Sequence, residues 1–217
     1  MYKKIIDELN SLEDKEFANW LKPFLSITKD SNEVLLGIRV PILRKLAKKY
    51  VKIDLIQLEL LLKNEIHEAR ALAIFIMLLK VKKEPDLICK IYLDNLDYIN
   101  NWDLIDYSAP HIVAPNVEEN VLRKLAESGY LWANRVAMVS TIYYIKQKDF
   151  NLALEFAKKF IKHEHHLMHK ASGWMLREIG KQDENILRNF LEKHSSTMPA
   201  IMRNYAKERL KNKTKPS

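Results

Sequence analysis

The chain has 217 residues, 47% hydrophobic and 29% charged, with 36 Lys and Arg against 28 Asp and Glu for a net charge of +8. That length and apolar content fit one large folded domain or a stack of small repeats and exclude a disordered chain, while the positive balance favours a polyanionic partner. Cys89 is the sole cysteine, which excludes an internal disulfide, a cysteine-ligated zinc site and an iron–sulfur cluster built within the chain.

Met1 to Glu8 carries charges too early for a secretory core, and no apolar run approaches the roughly 18 residues a membrane span needs. The chain therefore reads as a soluble protein of the cytoplasm. Apolar residues recur at three- and four-residue spacing with no sustained strand-type alternation. Helices are expected at about 3 to 22, 39 to 50, 54 to 63, 66 to 81, 86 to 99, 101 to 109, 116 to 127, 131 to 147, 150 to 162, 165 to 181, 184 to 194 and 199 to 211. Short breaks between them suggest six antiparallel pairs.

The segments around Arg70, Arg135, Lys170 and Arg203 align with one another. Arg135 lies 65 residues after Arg70, Lys170 a further 35, Arg203 a further 33, and Asp103 fills the vacant step 33 after Arg70. A period of that size with two helices per unit marks an α-solenoid, whose pairs bury their apolar faces by stacking on neighbours. The expected fold is thus all-α, a single domain over 1–212 with a concave basic groove, followed by a basic tail at 213–217. If the second helix of each pair lines the groove, Arg70, Arg135, Lys170 and Arg203 form a ladder of cations; chance recurrence of a common residue type is the alternative.

Trp102 and Asp106 share a helix face by their four-residue spacing, with Leu104, Ile105, Ser108 and Ile112 turned to the core. Asn100 or Asn101 is a ready N-cap, and Asp103, in the first turn, is accounted for by capping and the helix dipole. Pro110 is expected to end or kink this helix. Asp106 lies deeper and suggests chemistry on a cationic or electron-poor group; otherwise it pairs with Arg135 or Lys170. Arg135 sits in a helix apolar on nearly every side, and a buried guanidinium requires a phosphate or a carboxylate such as Asp106.

Further on, Lys170, Trp174, Arg177 and Lys181 form one stripe, while Met168, Ala171, Met175, Leu176 and Ile179 supply the core side. An indole among cations suits stacking on a sugar or base, or packs beneath Lys and Arg stems. The histidines at 163, 165, 166 and 169 do not form a zinc-protease motif, since Leu167 stands where its second histidine would fall, and no metal or cofactor is expected.

Several segments together resemble one family: Leu36-Gly37-Ile38-Arg39-Val40-Pro41 before a basic helix, Asn101-Trp102-Asp103-Leu104-Ile105-Asp106, Trp132-Ala133-Asn134-Arg135-Val136-Ala137, Lys170 to Glu178, and Arg203-Asn204-Tyr205-Ala206. In this order they resemble the AlkD-like DNA alkylation repair glycosylases, which are built from HEAT-like helical repeats. The resemblance implies catalysis by Asp106, with Trp102 and Trp174 facing the lesion and Arg135 holding a phosphate. It implies an N-terminal lesion-facing aromatic, for which Trp20 is the nearest candidate; the cations of the ladder and the stripe, Lys170, Arg177, Arg70 and Arg203, are the further DNA contacts expected. The implied activity is hydrolysis of the N-glycosidic bond of cationic alkylpurines in double-stranded DNA by a monomer. An inactive DNA-structure-binding relative and a protein-interaction scaffold are the other readings. Where some members carry a second tryptophan before this core, the chain has Asn101.

Overall fold

The computed structural model describes residues 1–27 and 31–210; the expected basic tail at 213–217 lies outside them. Its contacts cluster into two compact units, Met1–Asn116 and Val117–Ser217. Both are helical, and the all-α expectation holds throughout the described residues, where the only strand-like pairing is an isolated bridge between Val34 and Ile66.

The first unit contains α1 (Tyr2–Ser11), α2 (Lys15–Leu21), α3 (Val40–Lys49), α4 (Leu55–Leu62), α5 (His67–Lys80), α6 (Pro85–Asp94) and α7 (Trp102–Ile112). Its centre is α5, buried on almost every residue from His67 to Met77, and packed against α3, α4 and α7. The second unit contains α8 (Glu119–Glu127), α9 (Leu131–Ser140), α10 (Ile142–Ile145), α11 (Asn151–Lys159), α12 (His166–Gln182), α13 (Glu184–His194) and α14 (Ala200–Lys207). Here α12 is the hub, touching α9, α11, α13 and α14.

Three expected boundaries are corrected. The single helix expected over 3 to 22 is two, because Asp14 caps α2 by accepting from the Phe17 N–H at 2.9 Å while its own N–H donates to the Leu36 carbonyl at 2.8 Å. The helix expected over 131 to 147 breaks between α9 and α10, where the Thr141 hydroxyl donates back to the Met138 carbonyl at 2.7 Å, a bond that competes with regular helix geometry. Pro110 does not end α7, which runs on to Ile112. Pro110 costs little so near the C-terminus, where the Val113 N–H still reaches the Ala109 carbonyl at 3.1 Å.

The loop between α2 and α3 carries one backbone position that only glycine fits. Gly37 has φ +80°, and a Cβ there would lie 2.2 Å from the Asp14 carbonyl oxygen and 2.6 Å from the Ala18 nitrogen. Gly129 also has positive φ, +71°, but nothing lies within 4 Å of its would-be Cβ. Gly129→Ala should therefore cost only the left-handed backbone penalty, about 1–2 kcal/mol. Gly37→Ala should cost about 1–3 kcal/mol more, because backbone atoms must move. Urea unfolding of the two variants checks the difference; equal losses would mean that the loop yields freely around Gly37.

Candidate active site

The Trp102–Asp106 segment is built into the first unit from both sides. Asn101 caps α7, its side-chain oxygen accepting from the Trp102 N–H at 3.0 Å and from the Ser26 N–H at 3.2 Å. The Trp102 indole N–H donates to the Phe24 carbonyl at 2.8 Å. That bond fixes the ring plane against the segment following α2. Leu104, Ile105, Ser108 and Ile112 are buried as expected. The Ser108 hydroxyl anchors the core side through Tyr92 at 2.8 Å. Asp106 is half-buried, on the same helix one turn beyond Trp102. Burial, first of all, and then the Asp106 charge raise the Tyr92 phenol above its ordinary range.

Aromatic surface continues from Trp102 onto α2. Phe24 and Trp20 are 58% and 60% exposed, unusually open for rings of this size, and meet in a tilted contact at 5.1 Å, with Phe17 stacked on Trp20 at 5.4 Å. Arg39 lies over the Phe17 ring at 4.0 Å. Asp14, Glu16, Phe17, Trp20 and Arg39 line an open cavity of about 390 Å³.

Beneath α7 lies a charged cluster that local sequence reading did not reveal. His67 is 3% exposed. Its Nδ1 is 2.7 Å from Glu33 and its Nε2 2.8 Å from Asp103. Arg70, 5% exposed, pairs with Glu33 and donates to the Asn100 side chain at 2.9 Å. Glu68, between them, accepts from the Leu36, Gly37 and Ile38 N–H groups at 2.9, 2.6 and 3.2 Å. Asp103 is therefore more than a first-turn acid in the helix dipole: it is a counter-ion to His67.

Burial alone would push the His67 pKa down, but Asp103 and Glu33 outweigh it and raise it to about 9. Burial likewise pushes Glu33 up, and the His67 and Arg70 contacts overcome it and hold the carboxyl below its ordinary value. At neutral pH the cluster holds an imidazolium between two carboxylates, with the Arg70 guanidinium alongside.

In the second unit Arg135 is 4% exposed, as its apolar helix implied, and donates to the Leu167 carbonyl at 2.7 Å among its contacts. Trp174 is half-buried on α12, and its indole N–H donates to Glu178 at 3.1 Å. Glu178 also takes Lys181 at 2.7 Å and lies 3.5 Å from the Arg177 Nε, while the Arg177 Nη1 pairs with Glu208. The expected basic stripe thus carries an acid beside it, Glu178, which reaches Trp174, Arg177 and Lys181 along the same helix. The core side of α12, Met168, Ala171, Met175, Leu176 and Ile179, is buried as expected.

The members of the cation ladder differ in their surroundings. Arg70 is buried in the ion cluster, and Arg203 donates to the Ser195 carbonyl at 2.8 Å. Lys170, half-buried, forms no ion pair with any described residue. Arg70 and Arg135 are buried, Arg203 and Lys170 half-buried, and each of the three guanidinium groups bonds within its own unit. The histidine segment serves as a turn: the His165 ring caps α12 by accepting from the Leu167 N–H at 3.2 Å, and His163 accepts from the His165 N–H at 3.0 Å. No group of three or more His, Cys, Asp or Glu able to hold a metal occurs among the described residues, and none of their helices is long and apolar enough to cross a membrane.

The sequence model of the DNA alkylation repair enzymes matches residues 5–210, nearly the whole chain. The chain belongs to the DNA alkylation repair enzyme family. A solved structure described as a predicted DNA alkylation repair enzyme from Enterococcus faecalis superposes with a TM-score of 0.65 over 92% of this chain and 97% of that one, at 16% identity. At that identity the likeness concerns the fold alone. No curated protein matches the sequence.

In this member of the DNA alkylation repair enzyme family, His67 makes stability depend on pH. Its folded pKa is raised above the unfolded value of 6.5 to about 9, so its contribution is complete below pH 6.5 and lost as pH rises through about 9. Chemical denaturation across that range should show the wild type losing stability more steeply than His67→Gln, which should be less stable than wild type at pH 6.5. Parallel curves for the two proteins would contradict the charged state assigned to His67.

Proposed function

We propose that the protein is a DNA glycosylase that hydrolyses the N-glycosidic bond of cationic alkylated purines, of the N3-methyladenine and N7-methylguanine type, in double-stranded DNA. The observation that carries this reading is the pairing on α7 of a half-buried carboxylate, Asp106, with an indole one turn earlier. That indole is held in place by its 2.8 Å bond to the Phe24 carbonyl. Membership of the DNA alkylation repair enzyme family supplies the substrate context.

The chemistry asks of the site a carboxylate and does not require a general acid. Alkylation at N3 or N7 leaves a positive charge on the purine, which departs with the electron pair of the C1′–N9 bond and becomes neutral. No proton needs to be delivered to the leaving group. The burden falls on the sugar, where positive charge develops. Asp106 stabilises that oxocarbenium-like centre and orients the water whose oxygen bonds to C1′, as carboxylates do in sugar hydrolysis. Trp102 packs on the deoxyribose with its π face towards the growing charge. The exposed Trp20 provides a further aromatic surface on the same unit.

Trp174 and Arg135 keep the roles implied by the family resemblance, the second lesion-facing indole and a phosphate contact. Each is already oriented within its own unit, Trp174 by Glu178 and Arg135 by the Leu167 carbonyl. The reaction consumes only water, and the reading takes the protein as a monomer without a cofactor.

Asp106→Asn should lower release of free base from a duplex carrying one N7-methylguanine by about a hundredfold or more, with duplex affinity retained or increased. Equal release by the two proteins would remove Asp106 from the mechanism. Binding without release by the wild type would favour a DNA-structure-binding relative.

A further inference from the structure

The cations along α3, and Arg39 just ahead of it, differ sharply in what holds them. Lys49 is spent on Glu8 at 2.7 Å, and Arg39 shares a cavity wall with Asp14 and Glu16. Arg44 is exposed, yet its guanidinium is fixed: it lies over the Phe75 ring at 4.7 Å and the Tyr107 ring at 5.6 Å. Those two rings themselves meet at 5.5 Å, forming an aromatic bed. Phe75 is 4% exposed and belongs to the core helix α5, so the bed is anchored in the unit. No described residue forms an ion pair or hydrogen bond with Arg44. Tyr107, the outer ring of the bed, directly follows Asp106 on α7.

We infer that Arg44 is a DNA phosphate receptor of the first unit, holding one backbone phosphate near the middle of α7, where Asp106 lies. A guanidinium held over aromatic rings spends none of its N–H donors on them, and a guanidinium fork matches two phosphate oxygens at once. Stacking also removes most of the rotamer freedom that a surface arginine would lose on binding. The periodic candidate in this unit, Arg70, is engaged with Glu33 and Asn100, which leaves Arg44 as the immobilised, unpaired guanidinium on the Asp106 side. The exposed Lys45 and Lys48 extend the same helix with diffuse positive charge. This assignment rests on the DNA reading above and adds a contact to it.

The test is binding of a short, undamaged, fluorescein-labelled duplex by wild type, Arg44→Ala and Arg44→Lys between about 50 and 200 mM salt, alongside base release from an N7-methylguanine duplex and thermal unfolding. Arg44→Ala should bind about tenfold or more weakly. Its log affinity should fall less steeply with log salt by about one unit, whatever the sequence of the duplex. Arg44→Lys should keep the wild-type slope while binding several-fold more weakly, because it keeps the charge and loses the planar fork. An unchanged salt slope in Arg44→Ala, with wild type binding and releasing base, would overturn the assignment of Arg44 alone, including the case in which the variant is merely less stable. Absence of duplex binding by wild type would overturn this assignment and the DNA reading together.

Discussion

Three charged side chains at the start of α5 tie the first unit together. Glu68 gathers three consecutive backbone N–H groups of the loop before α3, His67 bridges Glu33 to Asp103, and Arg70 joins Glu33 to Asn100. Buried charges cost several kcal/mol each unless they are paired and hydrogen-bonded. Nearly every group here is both. The arrangement tolerates no simple deletion, because removing one member leaves its partner charged and dry. With His67 neutral, Asp103 would face an uncharged imidazole and Glu33 would keep Arg70 alone as its cation, so the proton on the imidazole belongs to the architecture.

This strut matters because of what stands on it. Asp103 and Asn100 flank the start of α7, Asn101 caps it, and Trp102 is bonded to the Phe24 carbonyl. The position of Trp102 and, one turn on, of Asp106 is thus over-determined by bonds from α5, from the loop ahead of α3 and from the segment after α2. Precision of this kind is what a carboxylate acting on a developing sugar cation needs, since stabilisation by a fixed charge depends on its being in place before the bond breaks. The leaving base brings its own positive charge, which explains how so spare a set of groups can suffice for the proposed hydrolysis.

Much of this was legible in the sequence, and the part that was not has a common cause. Helical periodicity gave the all-α class and the core sides of α7 and α12, because burial at three- and four-residue spacing is a local signal. Trp102 and Asp106 stood out because an acid beside an indole has no local explanation. His67, Glu33 and Arg44 did not stand out, since their partners lie more than thirty residues away and no local pattern announces such pairing. Charge type alone could not separate a buried, bonded Arg70 from an exposed one, whereas the contacts of Glu178 with Trp174 and Lys181 lie at local helix spacing and were open to a sequence reading. The break at Thr141 and the persistence of α7 past Pro110 were decided by single hydrogen bonds at helix ends.

The central claim, that the fixed Trp102–Asp106 pair serves hydrolysis of a cationic nucleoside, is tested most directly by product analysis with the wild-type protein. A duplex bearing one N7-methylguanine, incubated with excess enzyme, should yield free N7-methylguanine and an abasic site in equal amounts, with the strand otherwise intact and an unmodified duplex untouched. Binding of the damaged duplex with no base released, or removal of the methyl group with the guanine left in place, would contradict the account.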